Sequence, residues 1–183
     1  MMPKQGTFWT RWRVTLGYPL AAACLWGARP TPKSLVIGAC IAILGLAIRG
    51  YAAGYLYKGE GLATSGPYAY TRNPLYLGSI VLAAGVIVAT WSWVASGMVA
   101  AYIGMFYPAV MRREEVELRA RYGEAFERYA LQVPQLWPSF RPKVSSEKRF
   151  SWAQYKRNRE YEAAIGLLVA LALLAVRMWL RWR

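Results

Sequence analysis

The chain contains no histidine and no aspartate. Those two gaps exclude a His-based triad, a His-ligated metal centre and a Ser-His-Asp hydrolase. Cysteine is nearly as scarce: Cys24 and Cys40 both fall inside apolar runs, where small apolar packing is their ordinary role. Negative charge is thin as well, with 9 acidic residues, all Glu, against 23 Lys and Arg, for a formal net charge of +14. The ionisable chemistry left is that of Glu, Arg, Lys, Tyr and Cys.

Apolar sequence is plentiful. Of 183 residues 56% are hydrophobic and 15% aromatic, and they come in blocks with the charges between them, the pattern of a membrane protein. Five blocks read as spans, roughly 14–28, 35–57, 74–90, 94–111 and 163–180. About 20 helical residues cross a hydrocarbon core of ~30 Å, so the first and third are short. The expected fold is all-α and polytopic, with about five transmembrane helices. Arg11 and Arg13 give the first block the look of a signal-peptide core, but Gly27-Ala28-Arg29-Pro30 offers no clean cleavage signal, so a retained helix is expected.

On alternate sides of five spans, Arg29, Lys33, Arg177, Arg181 and Arg183 fall on one side, Arg49 lies within a span, and every other Lys and Arg falls on the opposite side. The positive-inside rule then predicts a cytoplasmic N-terminus, in a bacterial inner membrane, and an outer C-terminus. No nucleic-acid motif accompanies the basic surplus, so no nucleic-acid partner is expected; anionic lipid head groups account for it. Trp9, Trp12, Tyr18, Tyr55, Tyr57, Trp179 and Trp182 stand at span ends as an interfacial belt.

Only Ala89-Thr90-Trp91-Ser92-Trp93 joins the third and fourth spans, which predicts a tight antiparallel hairpin. Its arms are nearly equal, so Arg72-Asn73-Pro74 comes level with Arg112-Arg113-Glu114-Glu115. Pro108 predicts a kink or broken turn just before those charges. Residues 112–131 read as a polar helix with Glu115/Arg119, Glu117/Arg121 and Glu124/Arg128 at four-residue spacing, divided at Gly123. Val133-Pro134 and Leu136-Trp137-Pro138 then continue as extended chain. Residues 150–161 alternate aromatics with bases, as a surface-lying helix does.

Asn73-Pro74 is a helix-start signal, Asn as N-cap and Pro at the first helical position. The third span therefore begins with unpaired N–H groups and a positive dipole end, and Arg72 adds a full charge beside them. Glu114 and Glu115 supply the opposite sign across the hairpin, so the deduced pocket suits a zwitterion. Arg49 lies deep in the second span, where an arginine needs a partner; Glu114 or Glu115 is expected to provide it.

Arg49, the stretch GPYAYTRNPLYLGS from Gly66 to Ser79, the Glu114-Glu115 pair and the run RYGEAFERYALQVPQLWP from Arg121 to Pro138 together resemble the isoprenylcysteine carboxyl methyltransferase and phospholipid methyltransferase family. The resemblance implies an integral-membrane methyltransferase with a cytoplasmic segment that binds S-adenosylmethionine, whose methionine moiety is a zwitterion. It implies a lipid or lipophilic acceptor, whether carboxylate, thiol or amine. The catalytic residues it implies are Arg72, Glu115 and Arg49; the cofactor residues are Tyr68, Arg72, Asn73, Pro74, Tyr76, Glu114, Glu115, Val133, Pro134 and Trp137; no metal is implied. The run from Val133 to Pro138 would fold back over the adenine. Relatives carrying Arg-His-Pro have a titratable group where this chain has Asn73.

One membrane domain is expected over 1–183: N-terminal helices at 1–44, a methyltransferase-like core at 45–138, and a basic linker, surface helix and last span at 139–183. The glycine-rich loop of soluble methyltransferases is missing; Gly59-Glu60-Gly61 reads as a flexible helix exit. Two alternatives stay open at this level: a nicotinamide-dependent membrane reductase of related fold, and a non-catalytic membrane binding or assembly protein.

Overall fold

The computed structural model describes residues 8–57, 59, 61–144 and 148–182. Every regular element among them is helical: α1 (Phe8–Gly27), α2 (Pro32–Tyr55), a 3-10 turn (Gly66–Ala69), α3 (Pro74–Thr90), α4 (Trp93–Tyr122), α5 (Glu124–Gln132), α6 (Trp152–Arg157) and α7 (Tyr161–Trp182). α2, α4 and α7 are each long and apolar enough to cross a membrane, and α3 is apolar over a shorter 17 residues. The protein is an all-helical polytopic membrane protein. Side chains of Trp9, Arg11, Trp12, Arg13, Tyr18 and Trp182, and all of Lys58 and Glu60, lie outside the described residues. Of the residues expected in the interfacial belt, Trp179 is exposed.

The scaffold is the α2–α3 pair. Gly38, Gly45, Gly78 and Gly85 face each other across it, and a Cβ on Gly45 or Gly85 would come within 2.3 Å of the opposing backbone nitrogen, of Leu82 or Ala42. With lipid on the outside there is no hydrophobic drive to hold helices together, so close backbone approach through small residues supplies the dispersion contact instead. The pair is pinned at one end. Thr31 caps α2 in a reciprocal box with Ser34, Pro32 takes the first turn, and the Ser34 hydroxyl also donates to the Ala89 carbonyl at 3.3 Å. Arg177 of α7 donates to the Ala28 carbonyl at 3.0 Å, beyond the end of α1, a cation where a helix C-terminus favours one.

The hairpin between α3 and α4 forms as expected. Trp91 takes the left-handed conformation with φ 50°, and the Ser92 hydroxyl accepts from the Ala95 N–H. Pro108 does not break α4, which runs unbroken to Tyr122. Gly123, at φ 52°, then reverses the chain into α5, whose Phe126 and Tyr129 pack with Val133 against Leu62, Leu118 and Tyr122. That reversal redraws the expected ion pairs. Arg119 pairs with Glu127 of α5 and Glu117 with Arg113; of the three predicted pairs only Glu124–Arg128 is formed, at 3.6 Å.

The expected surface helix at 150–161 is short, confined to α6. It is bound to the end of α2: the Ser151 N–H donates to Gly54 at 3.0 Å, and Asn158 Nδ2 donates to the Ala53 and Leu56 carbonyls, each at 2.9 Å. These bonds reach the Gly54 and Leu56 carbonyls at the end of α2, where intrahelical donors run out, and add a second donor to Ala53, which already accepts from the Leu56 N–H.

Candidate functional site

α2 and α3 touch backbone to backbone as far as Gly45 and Gly78, and beyond that point the Arg49 side chain lies over Gly78. The helices there give way to a cavity of about 830 Å³ lined by α2, α3, α4, α5 and the loop before α3. It reaches from Tyr102 to Glu115 and beyond, roughly 20 Å along α4 at the helical rise. Its size lies in the range of small-molecule sites.

At one end α3 begins. Pro74 occupies the first helical position, as the sequence predicts, but Asn73 does not cap with its side chain. Its Nδ2 donates instead to the Gln135 carbonyl at 2.9 Å, so the Asn73 side chain is turned away from the first turn of α3. Thr71 Oγ1 donates to the same loop, at 3.0 Å to the Leu136 carbonyl, and the Arg72 N–H donates to the Pro134 carbonyl at 2.9 Å. Residues 134–136 thus clamp the start of α3 by its main chain.

Arg72 meets Glu115 across the hairpin, Nη2 to Oε1 at 3.2 Å, both side chains about five-sixths covered at 15% and 16% exposure. The two are neither on opposite sides of the bilayer nor spread around a gap; they form a closed ion pair. Arg72 Nε remains buried without a hydrogen-bond partner, and so does the Tyr68 hydroxyl. Buried polar atoms of this kind are costly unless something pairs with them. Burial pushes the Tyr68 hydroxyl well above the usual phenol range; Tyr129, Glu114 and Glu160 add to the shift and Arg49 opposes it. Tyr129 is raised by burial too, with Arg72 opposing, and its hydroxyl donates to the Tyr68 carbonyl at 2.7 Å. Both phenols are neutral donors at ordinary pH. Tyr76 donates to Glu114 Oε1 at 2.7 Å and sets its ring edge-on to Tyr107.

Arg49 lines the cavity, but its acidic partner is Glu160, not Glu114 or Glu115. Glu115 is engaged by Arg72 and Glu114 by Tyr76, whereas α6, folded back on the end of α2, delivers a nearly buried Glu160 beside Arg49. The guanidinium also reaches Ser79 Oγ. Sequence reasoning missed Glu160. Its one local signal was an acid standing at the threshold of the last span among bases.

The structure brings Arg49, Tyr68, Arg72, Asn73, Pro74, Tyr76, Glu114 and Glu115 to one cavity. It separates the other three. Val133 is buried under α5, and Pro134 and Trp137 line a second cavity of about 370 Å³ with Pro108, Met111 and Arg112. Trp137 is 76% exposed, turned outward.

Fold and site thus define a polytopic membrane protein with a charged, tyrosine-walled cavity opening where its helices diverge. Residues 36–125, just under half of the chain, match the family model described as phospholipid methyltransferase. This stretch carries Arg49, the start of α3 and both Glu114 and Glu115. The chain is 31% identical over 134 residues to the cobalt-zinc-cadmium resistance protein CzcN of Cupriavidus metallidurans, covering 69% of this chain and 62% of that one. It is 35% identical over 81 residues to the nickel-cobalt-cadmium resistance protein NccN of Alcaligenes xylosoxydans xylosoxydans, covering 44% and 38%. To the protein-S-isoprenylcysteine O-methyltransferase of Schizosaccharomyces pombe it is 30% identical over 73 residues, covering 40% and 31%. The chain therefore spans less than two thirds of the length of each of these relatives. No solved structure matches it significantly.

Proposed function

We propose that the protein is an integral-membrane methyltransferase that uses S-adenosylmethionine to methylate a lipid or lipophilic acceptor. The observation that carries this is the Arg72–Glu115 pair, set at an uncapped helix start in a cavity of suitable size, within the stretch matched by the methyltransferase family. A methionine-like zwitterion suits the pair because its carboxylate and ammonium replace the two halves of an ion pair already drawn from water. Opening such a pair without replacement costs about 3–5 kcal/mol. Arg72, through its unpartnered Nε, and the N–H end of α3 beside it would hold the carboxylate. Glu115 would take the ammonium, and Glu114, steadied by Tyr76, a ribose hydroxyl. The Tyr68 hydroxyl is a further donor or acceptor for the bound molecule.

When bound, the cofactor supplies an electrophilic methyl group on a sulfonium leaving group. The chain's own task is alignment and exclusion of water. Arg49 sits about five residues deeper than the start of α3, beside Ser79, on the side from which a lipid-tailed acceptor would enter. Its charge is already balanced by Glu160, so Arg49 orients the acceptor through hydrogen bonds more than through net attraction.

Isothermal titration of the purified protein with S-adenosylhomocysteine and with NADPH tests the reading. Only the first should bind, and Arg72→Ala and Glu115→Ala should each abolish that binding while the protein still elutes as a folded species. NADPH binding, or unchanged affinity in both variants, would overturn it. Incubating membranes with methyl-labelled cofactor then identifies the acceptor. On the distribution of Lys and Arg, the cavity end of the bundle is proposed to face the cytoplasm. A Lys143→Cys variant labelled by an impermeant thiol reagent from the periplasm of intact cells would refute that assignment.

A further inference from the structure

The segment from Leu131 to Lys143 clamps α3 through its inner, main-chain side, and its outer side is unlike an ordinary aqueous loop. Leu131 is 87% exposed, Trp137 76% and Phe140 fully exposed. No acidic residue occurs between 131 and 143. Arg141 and Lys143 are exposed there, and Arg112, also exposed, lines the second cavity beside Trp137. None of these three cations has an acidic partner among the described residues.

The level of this surface is fixed by the second cavity. Trp137 and Leu136 line that cavity together with Pro108, Met111 and Arg112, where α4 passes from its apolar run to its charged extension. That is the depth at which a helix leaves hydrocarbon for head groups, and where Trp and Arg are both at home. Large apolar side chains left bare in water would mark an interaction site; beside unpaired cations at bilayer level, the complementary surface is an anionic lipid interface.

We propose that the outer face of residues 131–143 docks on the bilayer surface, Trp137 and Phe140 entering the interfacial layer while Arg112, Arg141 and Lys143 take anionic head groups. The docking holds in place the same segment whose carbonyls bind Thr71, Arg72 and Asn73. Lipid contact is thereby tied mechanically to the start of α3. The inference does not depend on the cofactor assignment.

The test places the photo-cross-linking residue p-benzoylphenylalanine at position 140, and separately at the exposed position 124 on α5, in the full chain. The protein is set in nanodiscs of phosphatidylcholine alone or of an equimolar mixture with phosphatidylglycerol, irradiated, and analysed by intact mass. Position 140 should give lipid adducts, with phosphatidylglycerol several-fold over-represented in the mixture, and position 124 should give none. Arg141→Glu with Lys143→Glu should remove that preference. Absence of adducts at 140, or adducts at 140 in proportion to bulk composition, overturns the proposal. The preference measured before charge reversal decides the matter even if the doubly reversed protein fails to fold.

Discussion

The two ends of the α2–α3 pair use the same helices in opposite ways. From Gly38 to Gly45 the backbones are in contact, with no space for a Cβ; from Arg49 onward they line an open cavity with Arg49, Tyr76 and Ser79, facing the glutamates of α4. One end obtains its stability from close packing, and the other gives up packing to keep polar groups facing a space. The difference teaches that the order of the site is borrowed: α3 can start in an open cavity because its other end is locked.

The largest break in that contrast should come from Gly85→Leu, which drives a side chain into the Ala42 backbone. Overpacking costs ~1–3 kcal/mol even where neighbours yield, and backbone cannot, so loss of a monodisperse folded species is expected on size-exclusion chromatography. Gly97→Leu, with open space around its Cβ, should fold normally.

Next comes Glu160→Gln, which leaves Arg49 without its counter-charge. A shift to lower thermal stability of about 2 kcal/mol is expected, short of the 3–5 typical of a fully buried pair because Arg49 is 24% exposed. Replacing both Arg49 and Glu160 by Met should restore most of the loss, as measured by a thermal double-mutant cycle. If the double variant is as unstable as the sum of the singles, the pair is not the unit described.

A subtler contrast lies in Tyr68→Phe. Removing a buried hydroxyl that has no partner should leave stability unchanged or slightly raised, while S-adenosylhomocysteine affinity falls by roughly tenfold, the ~1.4 kcal/mol of one hydrogen bond. A loss of stability without a loss of affinity would place the hydroxyl in the scaffold.

The smallest effect is in pH. Tyr68 and Tyr129 are held above the ordinary phenol value of 10.0, so the unfolded chain releases their protons first. Their contribution to stability is full below pH ~10 and declines as pH rises beyond it. Unfolding monitored between neutral pH and strong alkali should show this decline, reduced in Tyr129→Phe.

Much of this protein was legible beforehand because membrane signals are local. An apolar block names a span, Asn73-Pro74 names a helix start, and a connection as short as that between the third and fourth spans permits only a hairpin, which brings Arg72 to Glu115. The illegible parts all involve chain folding back from a distance. Glu160 reaches Arg49 across 111 residues of sequence, through an anchoring of α6 on the end of α2 that no periodicity announces. Asn73 has the chemistry of a cap and spends its side chain on Gln135, 62 residues away. Trp137 belongs to the right segment yet faces outward, because one side of that segment is committed to α3.

The sequence by itself determined that the chain enters a membrane, where α3 starts, and which opposite charges come level. Each follows from residues within a few turns of one another or from the fixed rise of a helix. Only the tertiary structure decided which carboxylate answers Arg49, which hydroxyl is left unpaired in the cavity, and which face of the 131–143 segment is turned outward. Those outcomes depend on where a returning segment settles on a bundle already formed, and that is set by the shape of the surface it meets.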